Sequence, residues 1–207
     1  MRTKMKVGAG VVALFVAASW SFTPASAATS PTPSEAPAGE WVAYTSDPVM
    51  QTKYGSSSSA STADVSDAVA LADGCAAGTT SYPNRPEFSC LSVTLDGSGE
   101  KVVLRQGSTG SFGYLHALNT HNVEQQTIEN TVSINTGGYL QPNGRYLYGA
   151  YYQDPNGDVV INFELIQERN PGAESPDPYE LGVVTAYCRD SASAPTRTCP
   201  QWVNDSL

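Results

Sequence analysis

Histidine is nearly missing from this chain: 207 residues contain two, with three methionines, four cysteines and eleven lysines and arginines. The shortage of bases excludes broad polyanion or anionic-membrane binding, which needs a cationic surface. No C-x-x-C pair occurs and neither histidine lies near a cysteine in sequence, so the usual zinc spacings are absent. The G-x-S-x-G elbow of many serine hydrolases is also missing. Beyond Trp20 no apolar run is long enough to span a bilayer. The expectation is therefore a protein with no metal, no cofactor and no membrane partner.

What is present begins with an export signal. Arg2, Lys4 and Lys6 precede an uncharged apolar stretch, Val7 to Trp20, of 14 residues, and Ala25-Ser26-Ala27 supplies the small residues that signal peptidase requires. Cleavage is expected before Ala28, leaving 180 residues (207 minus 27), which suits one domain with a sizeable core. Removing three bases leaves 8 (11 minus 3) against 20 acids, a net charge of −12. The expected location is outside the cell, as a soluble monomer. All of Cys75, Cys90, Cys188 and Cys199 lie past the cut, and an even count in an oxidising compartment reads as disulfides. Three pairings satisfy four cysteines; Cys75 with Cys90 and Cys188 with Cys199 is favoured, since each closes a short Pro-, Gly- and Ser-rich loop.

Residues 28–40 are rich in Pro, Ala, Ser and Thr and read as a flexible leader, with a single domain over 41–207. Helical spacing of Val65, Val69 and Ala72 predicts a helix over 63–73. Leu91–Leu95 and Lys101–Arg105 flank Asp96-Gly97-Ser98-Gly99 and predict a hairpin. A glycine-rich loop, 107–113, leads to predicted helices over Tyr114 to about Asn119 and over Val123–Ile134. Arg145–Gln153 and Val159–Glu168 flank an Asn-Gly turn and predict a second hairpin, followed by a strand over Leu181–Tyr187. The order lacks regular alternation, which points to an α+β fold, N-terminal helices packed on a twisted antiparallel sheet and braced by disulfides. The tyrosines at 146, 148, 151 and 152 are expected to fill or cover a sheet face.

The two histidines, His116 and His121, fall within six residues of each other, after a basic strand (Lys101, Arg105) and a glycine-rich loop. Two side chains that titrate near neutrality can serve as acid and base in one reaction. At i and i+5 on one helix they would point roughly 140° apart. A shared pocket therefore requires the helix to break between them, and Asn119-Thr120 is the expected break. The competing reading makes both histidines surface or capping residues. Paired carboxylates among 20 acidic residues stay open as a glycosidase arrangement.

The stretch V-V-L-R-Q-G-S-T-G-S-F-G-Y-L-H-A-L-N-T-H-N (102–122), an isoleucine-bearing helix, a tyrosine-rich hairpin and the late G-V-V-T-A-Y (182–187) resemble the barnase/EndoU-like ribonuclease superfamily, especially its secreted bacterial toxin domains. The resemblance spans about residues 101–188. It implies His116 as the leading catalytic histidine with His121 as the second, and Arg105 facing phosphate. Thr185 and Tyr187 would then be hydroxyl donors at the sheet's end, and Lys101 and Arg145 would bind substrate. Two departures stand out: Leu115 occupies a position that is often basic, and residues 41–90 have no counterpart. The implied activity is metal-independent RNA cleavage by 2′-OH attack, with RNA as partner and an inhibitor or immunity protein as a second. The alternative is a non-catalytic secreted binding or inhibitory module, to which disulfide-braced loops, tyrosine and an acidic surface would also fit.

Overall fold

The computed structural model describes residues 36–54, 74–191 and 193–207. The expected signal peptide, most of the leader and the predicted helix over 63–73 lie outside the described residues. Two hairpins supply most of the strands. Turn chemistry at Asp96–Gly99 joins β2 (Cys90–Leu95) to β3 (Lys101–Arg105), which form a two-stranded antiparallel sheet. The main sheet is also antiparallel. It contains β1 (Glu40–Ala43), β5 (Tyr146–Gln153), β6 (Val159–Glu168) and β7 (Gly182–Arg189) in that order, with the short β4 (Tyr139–Leu140) pairing beside β1 on β5. Asp154 closes the β5–β6 turn, its Oδ1 accepting the amides of Asn156 and Asp158, as Asx-type turns do.

Alternation along the strands sorts side chains onto two faces. Tyr148, Tyr152, Ile161, Phe163, Leu165, Ala186 and Cys188 share one face. There they pack with Val102 and Leu104 of β3, Ala117 of α2 (Tyr114–His121), Ile128 and Val132 of α3 (Gln125–Ile134), and Trp202 of α4 (Gln201–Ser206). The other face holds a smaller cluster of Leu147, Ile166 and Tyr187 with Tyr44, Tyr139 and Met50, the last from α1 (Pro48–Tyr54). Tyr44 fits there because Gly149 leaves room: a Cβ on that glycine would come 2.5 Å from the Tyr44 ring. The fold is α+β with two antiparallel sheets and the disulfides Cys75–Cys90 and Cys188–Cys199. Among the described residues the larger helices stand mid-chain, between the small hairpin and β4–β7 of the main sheet, rather than toward the N-terminus.

The tail of the expected leader is built into the fold. Ala36 packs against the main core, the Pro37 carbonyl accepts the Tyr152 hydroxyl, and Glu40 opens β1. Proline and small residues gave no period to read, so backbone pairing with β5 is what recruits this segment. Helix α4 was likewise unmarked in sequence; Trp202 anchors it, and Trp41 Nε1 donates to Ser206 Oγ at 3.0 Å.

Candidate active site

The loop from Gly107 to Gly113 turns the chain from β3 into α2. Gly107 and Gly113 both have positive φ and approach each other so closely that a Cβ on Gly107 would lie 1.8 Å from the Phe112 carbonyl oxygen. The Gly113 amide donates to Val184 O, which seats the start of α2 against edge strand β7. His121 then lies beside Tyr187 of β7, and His116 beside His121.

The helix does not break at Asn119-Thr120. It runs unbroken through His121 and ends at Asn122, the one described non-glycine residue with positive φ. The imidazoles nevertheless meet, with ring centroids 5.3 Å apart and planes nearly perpendicular. The reason lies in the last turn, which is widened: the Asn122 amide is shared between the Ala117 and Leu118 carbonyls, and the Val123 amide reaches back to Ala117 O. A turn wider than α brings positions five apart closer in angle, and helical side chains lean toward the N-terminus, carrying His121 back over the previous turn.

His116 Nδ1 lies 2.8 Å from the Thr109 carbonyl oxygen, with Thr120 Oγ1 3.4 Å away. The ring centroid of His121 stands 5.8 Å from that of Tyr187. Burial, reinforced by the neighbouring His116, lowers the pKa of His121 below the ordinary histidine value. Burial, and then the charge of Glu164, raises that of the Tyr187 phenol, so it stays a protonated donor at neutral pH. Thr185, two residues earlier on the same strand face, has a buried hydroxyl oxygen with no hydrogen-bond partner among the described residues.

Behind Tyr187 runs a line of polar groups that the sequence reading did not single out. Arg189 Nη2 donates to the Tyr187 hydroxyl at 3.3 Å, and Arg189 Nε lies 3.1 Å from Glu164 Oε2. Tyr44 donates its hydroxyl toward Asn162 Oδ1 and Glu164 Oε1, at 3.1 and 3.3 Å. A signal for this line existed: Asn162 and Glu164 interrupt the apolar run from Val159 to Ile166 at alternate positions, and Arg189 follows Tyr187 by two.

The expected cations lie elsewhere. Arg105 was to face phosphate, but it is 1% exposed. Its guanidinium forms a bidentate pair with Asp177 at 2.8 and 3.0 Å and also donates to the carbonyls of Glu180 and Phe88. With four donor contacts made inside the protein, its charge serves to fold the 170–181 segment onto the small hairpin. Tyr82 also donates to Asp177, at 2.6 Å. Burial opposes ionisation of Asp177, but the hydrogen bonds from Arg105 and Tyr82 prevail and hold its pKa low. Lys101 begins β3, about 13 Å of strand from Arg105, and the two line one pocket of about 230 Å³ with Val93, Val103 and Glu180. Arg145 precedes β5 and pairs with Glu168 at 3.5 Å. The site thus brings together His116, His121 and Tyr187, with Thr185 two residues before Tyr187 on the same face of β7, and does not recruit Arg105, Lys101 or Arg145.

No family model matches this chain, and neither a curated protein nor a solved structure does. No group of three or more His, Cys, Asp or Glu among the described residues could hold a metal ion. No described helix is long and apolar enough to cross a membrane.

Proposed function

We propose that this chain is a secreted endoribonuclease that cleaves RNA without a metal, through attack of the ribose 2′-OH on the adjacent phosphorus. The observation that carries the reading is the pair of imidazoles 5.3 Å apart, one of them against the Tyr187 ring. Two adjacent histidines can supply both proton transfers that this reaction needs, each worth about 10² to 10⁴ in rate.

His121, whose burial favours the neutral form, acts as the base that takes the 2′-OH proton. His116, held through Nδ1 by the Thr109 carbonyl, presents Nε2 and in its protonated form gives a proton to the departing 5′-oxygen. Within this reading the Tyr187 hydroxyl, already bonded to Arg189 and Glu164, and the buried, unpartnered Thr185 hydroxyl become donors to the phosphate oxygens once substrate binding uncovers them. With Arg105 enclosed, imidazolium and hydroxyl donors do the work that a free arginine would share. An acidic protein with few phosphate contacts should bind RNA modestly and with a shallow salt dependence. Export by the N-terminal signal and an inhibitor or immunity partner belong to the same reading, and the two disulfides fit an oxidising compartment.

The test is incubation of the purified protein with RNA in excess EDTA, with a 2′-deoxy oligonucleotide as control. Cleavage of RNA alone, leaving 2′,3′-cyclic phosphate ends, and a loss of about 10² or more in H116A are expected. Intact RNA at high enzyme concentration, or full activity in H116A, would reject the reading.

A further inference from the structure

We propose that the histidine site assembles only when Cys188 and Cys199 are oxidised to their disulfide. The claim rests on the ribonuclease reading for its activity readout alone. Cys188 directly follows Tyr187 on β7, and its disulfide partner begins the segment that holds the end of α2. The Cys199 amide donates to the main-chain oxygen of His121 at 2.8 Å, and Asn122 Nδ2 donates to Cys199 O at 3.0 Å.

The grip continues through α4. Asn204 Nδ2 donates to Asn122 O at 2.9 Å. Asn204 Oδ1 accepts from the Glu124 amide and the Thr127 hydroxyl at 3.0 and 2.9 Å, so one side chain spans the α2–α3 junction. The disulfide fastens this clamp to the strand that carries Tyr187. The facing titratable groups are His116 from the helix itself and Tyr187 from β7, with Arg189 lying across the Tyr187 ring. Without the bond, Trp202 and Val203 still seat α4 in the main core and Arg197 still bridges Cys188 through the backbone, but no covalent tie then fixes the residues at Cys199, which hold the widened helix end, to the strand of Tyr187.

Reduction balances in the ordinary way. A dithiol reagent's thiolate attacks one protein sulfur to form a mixed disulfide, and its second thiolate displaces the protein cysteine; two electrons and two protons pass, leaving two protein thiols and an oxidised reagent. Both cysteines are buried, at 0% and 2% exposure, so the folded protein resists this exchange and the bond acts mainly at assembly. A chain made in a reducing compartment would then lack the ordered site.

The experiment compares the oxidised full chain with the C188A/C199A and C75A/C90A variants. It reads RNA cleavage and, separately, the pH titration of the His121 ring by NMR. In C188A/C199A, cleavage should fall roughly tenfold to a hundredfold, and the His121 pKa should rise toward the ordinary histidine value. C75A/C90A should match the parent in both. An unchanged His121 titration in C188A/C199A, or an equal shift in C75A/C90A, overturns the proposal. If C188A/C199A does not fold, the same titration is read on the C75A/C90A chain refolded from denaturant with and without a dithiol reagent: the His121 pKa should rise only in the reduced sample, and a value equal in both overturns the proposal. If the oxidised parent cleaves no RNA, the ribonuclease reading falls while the titration still tests the clamp.

Discussion

His116 Nδ1 and the carbonyl oxygen of Thr109 stand 2.8 Å apart, and because a carbonyl can only accept, the neutral ring must carry its proton on Nδ1. Nε2 is thereby the position at which the ring takes up and gives away its second proton. Thr109 owes its place to a loop whose closure depends on the close approach of Gly107 to the Phe112–Gly113 segment.

Gly107→Ala should therefore damage both stability and activity. Its φ of +66° and the 1.8 Å approach to Phe112 O leave no room for a methyl group, so the cost should exceed about 1 kcal/mol. Chemical denaturation measures the first effect and RNA cleavage the second. An unaltered denaturation midpoint would show that the loop relaxes freely.

The depressed pKa of His121 gives a signed pH dependence. The unfolded chain binds the proton more readily, at the ordinary value near 6.5, so the folded state is favoured in full above that pH. The contribution is lost as pH falls from there through the lower folded value. H121N should flatten this part of the stability curve, which urea titrations between about pH 5 and 7 would reveal. If His121 is the base, the acidic limb of cleavage should likewise lie below the ordinary histidine range.

Arg105 and Asp177 make the opposite kind of prediction, one of stability without catalysis. Their side chains are 1% and 6% exposed, and removing one member of such a pair strands a buried charge at about 3 to 5 kcal/mol. R105M should lower the melting temperature sharply, while the fraction that remains folded cleaves RNA at the parental rate. Because the folded pKa of Asp177 is depressed, its contribution is present above the ordinary aspartate value and is lost as pH falls through the folded one. R105M should weaken that acid-side loss.

Glu164 and Arg189 should behave as a coupled pair. The Glu164 side chain is 6% exposed and Arg189 Nε lies 3.1 Å from it. R189Q should destabilise by on the order of 2 kcal/mol, and adding E164Q should recover part of that loss in a double-mutant cycle. Simple additivity would show the two side chains to be independent.

Local patterns made much of this architecture readable. The strand bounds Lys101–Arg105 and Val159–Glu168, the favoured cysteine pairing and a helix ending at Ile134 all agree with the structure. Each depends on period-two alternation, turn chemistry or short loop closure, which neighbouring residues decide. The helix end at His121 did not follow its local cue. Asn119 and Thr120 favour termini, but Asn119 Nδ2 bonds Thr109 Oγ1 and Thr120 Oγ1 reaches Thr109 O, so both side chains are engaged by the loop while the helix continues.

The amino-acid sequence alone placed two scarce imidazoles within six residues of each other and set the hairpins around them, because both depend on short-range geometry. Only the tertiary structure decided that the rings meet and which cations attend them. Arg105 looks like a phosphate ligand until Asp177, 72 residues later, encloses it. A charged group's role depends on the counter-charges folding brings to it, and separation along the chain carries no trace of that encounter.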